Sequence, residues 1–79
     1  MLTESGLIAF LEDELGVDTS DIEIETLLFS TGVIDSFALV TLMTYLETDG
    51  GFLISPSDVN LLNMDSIARM LAYAKRMKA

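Results

Sequence analysis

Three long stretches and one short one carry the marks of helices, and the ground between them is acidic or rich in turn formers. In the first, Leu7, Ile8, Leu11 and Leu15 share one stripe, with Phe10 at its edge. Thr3 can cap this helix, Glu4 suits its positive end, and Gly16 can stop it. In the second, Leu39, Leu42, Met43 and Leu46 give the i, i+3, i+4, i+7 spacing of an amphipathic helix. That helix should run from Ser36 to about Thr48 and end at Gly50-Gly51. Pro56 suits the first turn of a short third helix, with Ser55 as cap and Ser57 and Asp58 in the turn. Ile67, Met70, Leu71 and Ala74 predict a last helix from about Asp65 to Met77, capped by Asn63 or Asp65.

Between the first two helices lies a long connection, roughly Val17 to Ile34. Ile22 and Ile24 alternate with acids there, as in a strand, but no second alternating run exists to pair with them, and a lone strand is unstable. The segment reads as a loop, with room for one helical turn, whose Ile22, Ile24, Leu27, Leu28 and Phe29 tuck onto the helices. The expected architecture is all-α: a small four-helix bundle of three longer helices and one short one, with a long loop between the first and second. Residues 1–79 make one domain and leave no room for a second.

Charge changes the picture of what such a bundle can bind. Thirteen acids against four bases give a net charge of −9, and all four bases lie in the last eleven residues. Phosphate repels such a surface, so nucleic acid is excluded as a partner, whereas a basic patch on another protein is favoured. Acidity also keeps a half-apolar small protein in solution. The chain has neither cysteine nor histidine. It therefore has no thiol nucleophile, no disulfide and no Ser-His pair, which argues against a conventional hydrolase and for a protein that is not an enzyme. Asp18, Asp21, Glu23 and Glu25 cluster without the spacing or glycine of a calcium-binding EF-hand loop, so no metal site is expected. No apolar run reaches the length of a membrane span, and Glu4, Glu12 and Asp13 break up the apolar N-terminal stretch where a signal peptide would need continuity. The expectation is a cytoplasmic monomer that does not engage membranes.

Two Asp-Ser pairs remain, Asp35-Ser36-Phe37 and Asp65-Ser66-Ile67. Ser66 reads as a small polar residue in the first turn of the last helix. Ser36 follows a long loop containing Gly32 and opens the most regular amphipathic helix. At 100° per residue, Ser36, Phe37, Val40, Thr41, Thr44 and Glu47 share the face opposite the core stripe. Phe37 and Val40 beside a serine on an exposed face have the character of a docking surface.

The run Gly32-Val33-Ile34-Asp35-Ser36-Phe37 resembles the phosphopantetheine attachment motif of acyl carrier proteins, in which an Asp-Ser-Leu or similar triplet opens the second helix. Leu28-Phe29, then Leu39, Leu42 and Leu46-Glu47, then Ile54-Ser55-Pro56, and finally Asn63-Met64-Asp65-Ser66-Ile67 match the family's layout in order along nearly the whole chain. The resemblance implies that a phosphopantetheinyl transferase moves the phosphopantetheine arm from coenzyme A onto Ser36. The arm's thiol then carries acyl or aminoacyl groups as thioesters, so a protein without cysteine does thiol chemistry with a borrowed sulfur. A loading ligase and downstream acyl-transfer or condensing enzymes are the implied partners, and lipid or fatty acid biosynthesis or secondary metabolism the implied setting. By resemblance Asp35, besides capping the helix, helps the transferase engage. The segment like Asn63–Ile67 opens the family's fourth helix and carries no prosthetic group.

Two features depart from the family. Carriers of bacterial fatty acid synthesis have an acid-rich second helix, whereas here no charge precedes Glu47. That face is more similar to those of D-alanyl, peptidyl and other specialised carriers. Gly50-Gly51 stands where many carriers have an aromatic residue and one glycine. The alternative from another class is an unmodified acidic helical interaction module that binds a basic partner.

Overall fold

A computed structural model describes residues 2–78. Helix α1 spans Glu4–Asp13, α2 Ser36–Gly50, α3 Leu61–Met64 and α4 Ile67–Lys78, with a 3-10 turn at Pro56–Asp58 ahead of α3. The all-helical bundle, three long helices and a short one with a long loop after the first, is the architecture expected from the apolar spacing.

Local chemistry fixes the helix ends. Thr3 Oγ1 accepts the Gly6 N–H at 3.0 Å, so α1 starts where its cap predicts. It ends at Asp13, ahead of Gly16, and the Val17 N–H bonds back to the Leu11 carbonyl at 3.0 Å. Helix α2 runs two residues beyond the expected Thr48. Gly51 closes it with φ 74°, in the left-handed region, and its N–H reaches the Glu47 carbonyl at 2.9 Å. Gly50 is needed for a different reason: the Phe52 ring lies where a Cβ at that position would sit. The two glycines thus answer two separate constraints, one of backbone and one of packing.

The sequence reading placed the short helix at Pro56. There the chain makes only a 3-10 turn, and Ser55 gives it no side-chain cap. The α-helical turn comes later, at α3, where Asn60 Oδ1 accepts the Asn63 N–H at 3.0 Å. The start of α4 also differs. Asp65 ends α3 instead of capping α4, and Ser66 Oγ, just ahead of α4, accepts the Arg69 N–H at 3.1 Å. Of the four bases near the C-terminus, Arg69 and Arg76 bond across to the α3 region. The side chain of Lys78 lies outside the described residues.

Leu7 and Leu11 of α1, Leu42 and Leu46 of α2, Met64 of α3, and Ile67, Met70 and Tyr73 of α4 form the core. The loop adds Leu28 and Ile34. Ile22 and Phe29 pack at its edge, but Ile24 and Leu27 are exposed rather than tucked in. Phe10 stacks on Tyr45 with ring centroids 4.2 Å apart, joining α1 to α2.

Truncating Leu46, which is fully buried, to Ala should cost about 2–5 kcal/mol, a large share of the stability of so small a fold. Val40→Ala, on the exposed side of the same helix, should change stability by less than about 0.5 kcal/mol. Urea unfolding of both variants measures the contrast.

Candidate functional site at the start of helix 2

The chain enters α2 through Asp35, whose backbone is extended and whose Oδ1 accepts the Ala38 N–H at 2.9 Å. Its carbonyl takes the Leu39 N–H at 3.1 Å, which completes the cap. Ser36 is the first residue of the helix and is exposed. The first amides of a helix have no carbonyl a turn behind them, and the helix dipole places partial positive charge there.

The loop leading to this point is held from the far end of the chain. Asp65 is 2% exposed, and its Oδ1 accepts the N–H groups of Phe29 at 2.7 Å, Ser30 at 3.0 Å and Leu28 at 3.2 Å. The Asp65 carbonyl also takes the Leu28 N–H at 2.7 Å, and the Ala68 N–H bonds to the Ile24 carbonyl at 2.8 Å. The Ile34 N–H then returns to the Leu28 carbonyl at 3.0 Å, one residue before Asp35. Burial pushes the Asp65 pKa up, but the hydrogen bonds from Ser30, Phe29 and Leu28 outweigh it and hold the carboxyl below its ordinary value. The two Asp-Ser pairs therefore divide the work. Asp35 caps the helix that presents an exposed serine, while Asp65 pins the loop behind it and its neighbour Ser66, also 2% exposed, caps α4.

Beside Ser36 lies a groove of about 440 Å³. Phe29 and Ile34 of the loop, Leu39 of α2, Val59, and Leu61 and Met64 of α3 give it an apolar lining, with Asp35, Ser36 and Asn60 as polar groups at its wall. A cavity with an apolar lining and few polar groups is the usual form of a small-molecule site.

The other face residues sit as follows. Phe37 is 87% exposed and Val40 68%, and Thr41 and Thr44 are exposed with them. Thr44 Oγ1 donates back to the Val40 carbonyl at 3.1 Å. Glu47 is half-buried, and its Oε2 accepts the Ile54 N–H at 2.7 Å, bracing the turn after α2. Sequence reasoning gave Asp65 only a capping role, and found neither the groove nor the exposed Leu53, Leu61 and Leu62. An Asp flanked by Met64 and Ile67 in a core stripe was the one available hint of a buried carboxylate. Among the described residues, no three acidic side chains converge as a metal site, and no helix is long and apolar enough to cross a membrane.

An all-helical bundle with an exposed serine at a capped helix N-terminus and an apolar groove alongside has the form of a prosthetic-group carrier. The family model described as the phosphopantetheine attachment site matches residues 5–74, and the chain belongs to that family. It is a phosphopantetheine-carrying protein, not an enzyme, and its kind works with phosphopantetheinyl transferases and acyl-handling enzymes. No curated protein matches the chain. The residues present suit the group, since the start of α2 offers an exposed hydroxyl next to helix amides that favour a phosphate.

Because the Asp65 pKa is lower in the folded state than in the unfolded chain, its contribution is fully present above about pH 4 and is lost as pH falls through the lowered value. Urea midpoints between pH 7 and pH 3 should hold level and then fall, less steeply in Asp65→Asn. Asp65→Ala strands the loop amides of Phe29 and Ser30, while the Leu28 N–H keeps its bond to the backbone carbonyl at that position, and should cost about 2 kcal/mol or more at pH 7.

Proposed function

We propose that the phosphopantetheine arm attaches to Ser36 and that the exposed face of α2 receives the partner enzymes. The observation that carries this reading is the contrast between the two serines. Ser36 is exposed at the start of α2, whereas Ser66 is buried with its hydroxyl engaged by the Arg69 amide. When attached, the arm supplies the thiol that holds an acyl or aminoacyl group as a thioester. Asp35 fixes the helix start, the α2 amides favour the phosphodiester, and Phe37, Val40, Thr41 and Thr44 offer a partner an apolar and hydroxyl-bearing surface, with Glu47 at its far end.

The lack of charge on α2 before Glu47 favours a specialised carrier of the D-alanyl or peptidyl type over one that serves bacterial fatty acid synthesis. Partners that read carboxylates on this helix would find none on its first three turns. The protein works on this reading as a cytoplasmic monomer, loaded by a ligase and unloaded by acyl-transfer or condensing enzymes.

Incubation with coenzyme A, magnesium and a broad-specificity phosphopantetheinyl transferase should add the mass of one phosphopantetheine. The gain should vanish in Ser36→Ala and persist in Ser66→Ala. Peptide mapping that placed the group on Ser66 would overturn the assignment.

The division between remote acids and an uncharged docking helix sets a second expectation. Exposed charges are screened over about 10 Å at 0.1 M salt. Raising ionic strength should therefore slow association with the cognate loading enzyme, while dissociation, governed by Phe37 and Val40 packing, changes little. Association and dissociation rates over a salt series measure both. A dissociation rate rising as steeply as association falls would mean that charge pairs hold the interface.

A further inference from the structure

Helix α3 forms one wall of the groove beside Ser36, yet its own anchoring is slight. It is a single turn of four residues, too short to be stable by itself. Of its apolar side chains, Met64 is buried, but Leu61 is half exposed and Leu62 is 78% exposed. It packs on α4, and the groove lies between it and the first turns of α2.

Beyond the buried Met64, what ties this wall to α4 is polar. Arg69 donates through Nη1 to the Leu61 carbonyl at 3.0 Å. The Tyr73 hydroxyl donates to Asp58 Oδ2 at 2.8 Å. Arg76 donates through Nη2 to Asn63 Oδ1 at 2.8 Å, and Asn63 Nδ2 in turn donates to the Asp58 carbonyl at 3.0 Å. The Arg76 guanidinium also lies 5.6 Å from the centre of the Tyr73 ring, which closes the circuit. Three side chains, one per turn along α4, thus grip both the 3-10 turn and α3. Two of them are half of the chain's four bases, in a protein whose surface is otherwise acidic.

We infer that Arg69, Tyr73 and Arg76 are positioning residues that latch α3 to α4 and so set the width of the groove next to Ser36. The inference rests on the carrier reading for its use, because the groove matters to whatever chain hangs from that serine. The latch lies on α4, whereas the proposed docking face lies on α2. A partner can therefore engage Phe37 and Val40 without touching the device that holds the opposite wall.

Amide hydrogen exchange of the unmodified chain tests this, so a failure to modify Ser36 would leave the result interpretable. The variant is Tyr73→Phe combined with Arg76→Gln, which removes the hydroxyl and the guanidinium but keeps the ring that meets Phe52 edge-on at 5.9 Å. Leu46→Val serves as a comparison that weakens the core as a whole. In the double variant, the hydrogen-bonded amides of Asn63, Met64 and Asp65 should exchange about tenfold faster while those of Leu11, Leu42 and Leu46 stay within about twofold of the parent. In Leu46→Val all of these amides should speed up together. Exchange in the double variant that is unchanged at Asn63, Met64 and Asp65, or that rises evenly across the chain, would overturn the latch.

Discussion

Everything the site needs depends on one buried carboxylate. The segment between α1 and α2 contains no helix or strand, and its backbone amides have no ladder to join. Ordering such a length of chain costs roughly 1–2 kcal/mol per residue in backbone entropy. Asp65 offsets part of that by gathering the amides of Leu28, Phe29 and Ser30 onto one oxygen, at the point where Leu28 enters the core. The carboxylate remains charged because those amides replace the water it gives up. Ile34 then bonds back to Leu28, and Asp35 caps α2. The position of Ser36 is therefore inherited step by step from a residue twenty-nine places further along.

On the proposed attachment at Ser36, a carrier must present its serine while keeping the fold behind it fixed, and α2 suits both demands along one helix. Leu42 and Leu46 anchor it in the core, and Phe10 stacking on Tyr45 joins it to α1. The opposite side keeps Phe37 and Val40 in water. Glu47 belongs to both sides. It sits at the end of the exposed face, yet its carboxylate is already committed to the Ile54 amide and is held in place by it.

Periodicity made the three long helices legible, because apolar residues at 3.6-residue spacing have few alternatives. It also separated Leu42 and Leu46 from Phe37 and Val40 correctly, since burial follows directly from face. It failed where structure depends on contacts distant in sequence. Ile24 and Leu27 look like core residues, but the loop turns them outward, and no local signal reveals which apolar loop residues win a place inside. The roles of Asp65 and Ser66 were exchanged for a related reason. Either residue type caps a helix well, and only the neighbouring loop amides draw the aspartate away and leave the cap to the serine. The groove was invisible in the sequence, as it exists only between elements that the fold brings together.

Net charge acquires a more specific meaning once the bases are placed. Arg69 and Arg76 are spent inside the molecule, on the Leu61 carbonyl and on Asn63. They are exposed cations, but their directional donors point at the α3 region rather than at solvent acids. The acids Asp18, Asp21, Glu23 and Glu25 are exposed along the loop, and Asp18 uses its carboxylate only to order the adjacent turn through Ser20. The field a distant partner feels is therefore negative and arises mostly away from α2. The exposed surface of α2 near Ser36 is apolar and hydroxylic. On the proposed docking face, attraction and recognition belong to different parts of the chain. A mutation in the loop would change how often partners arrive, while a mutation on α2 would change whether they stay.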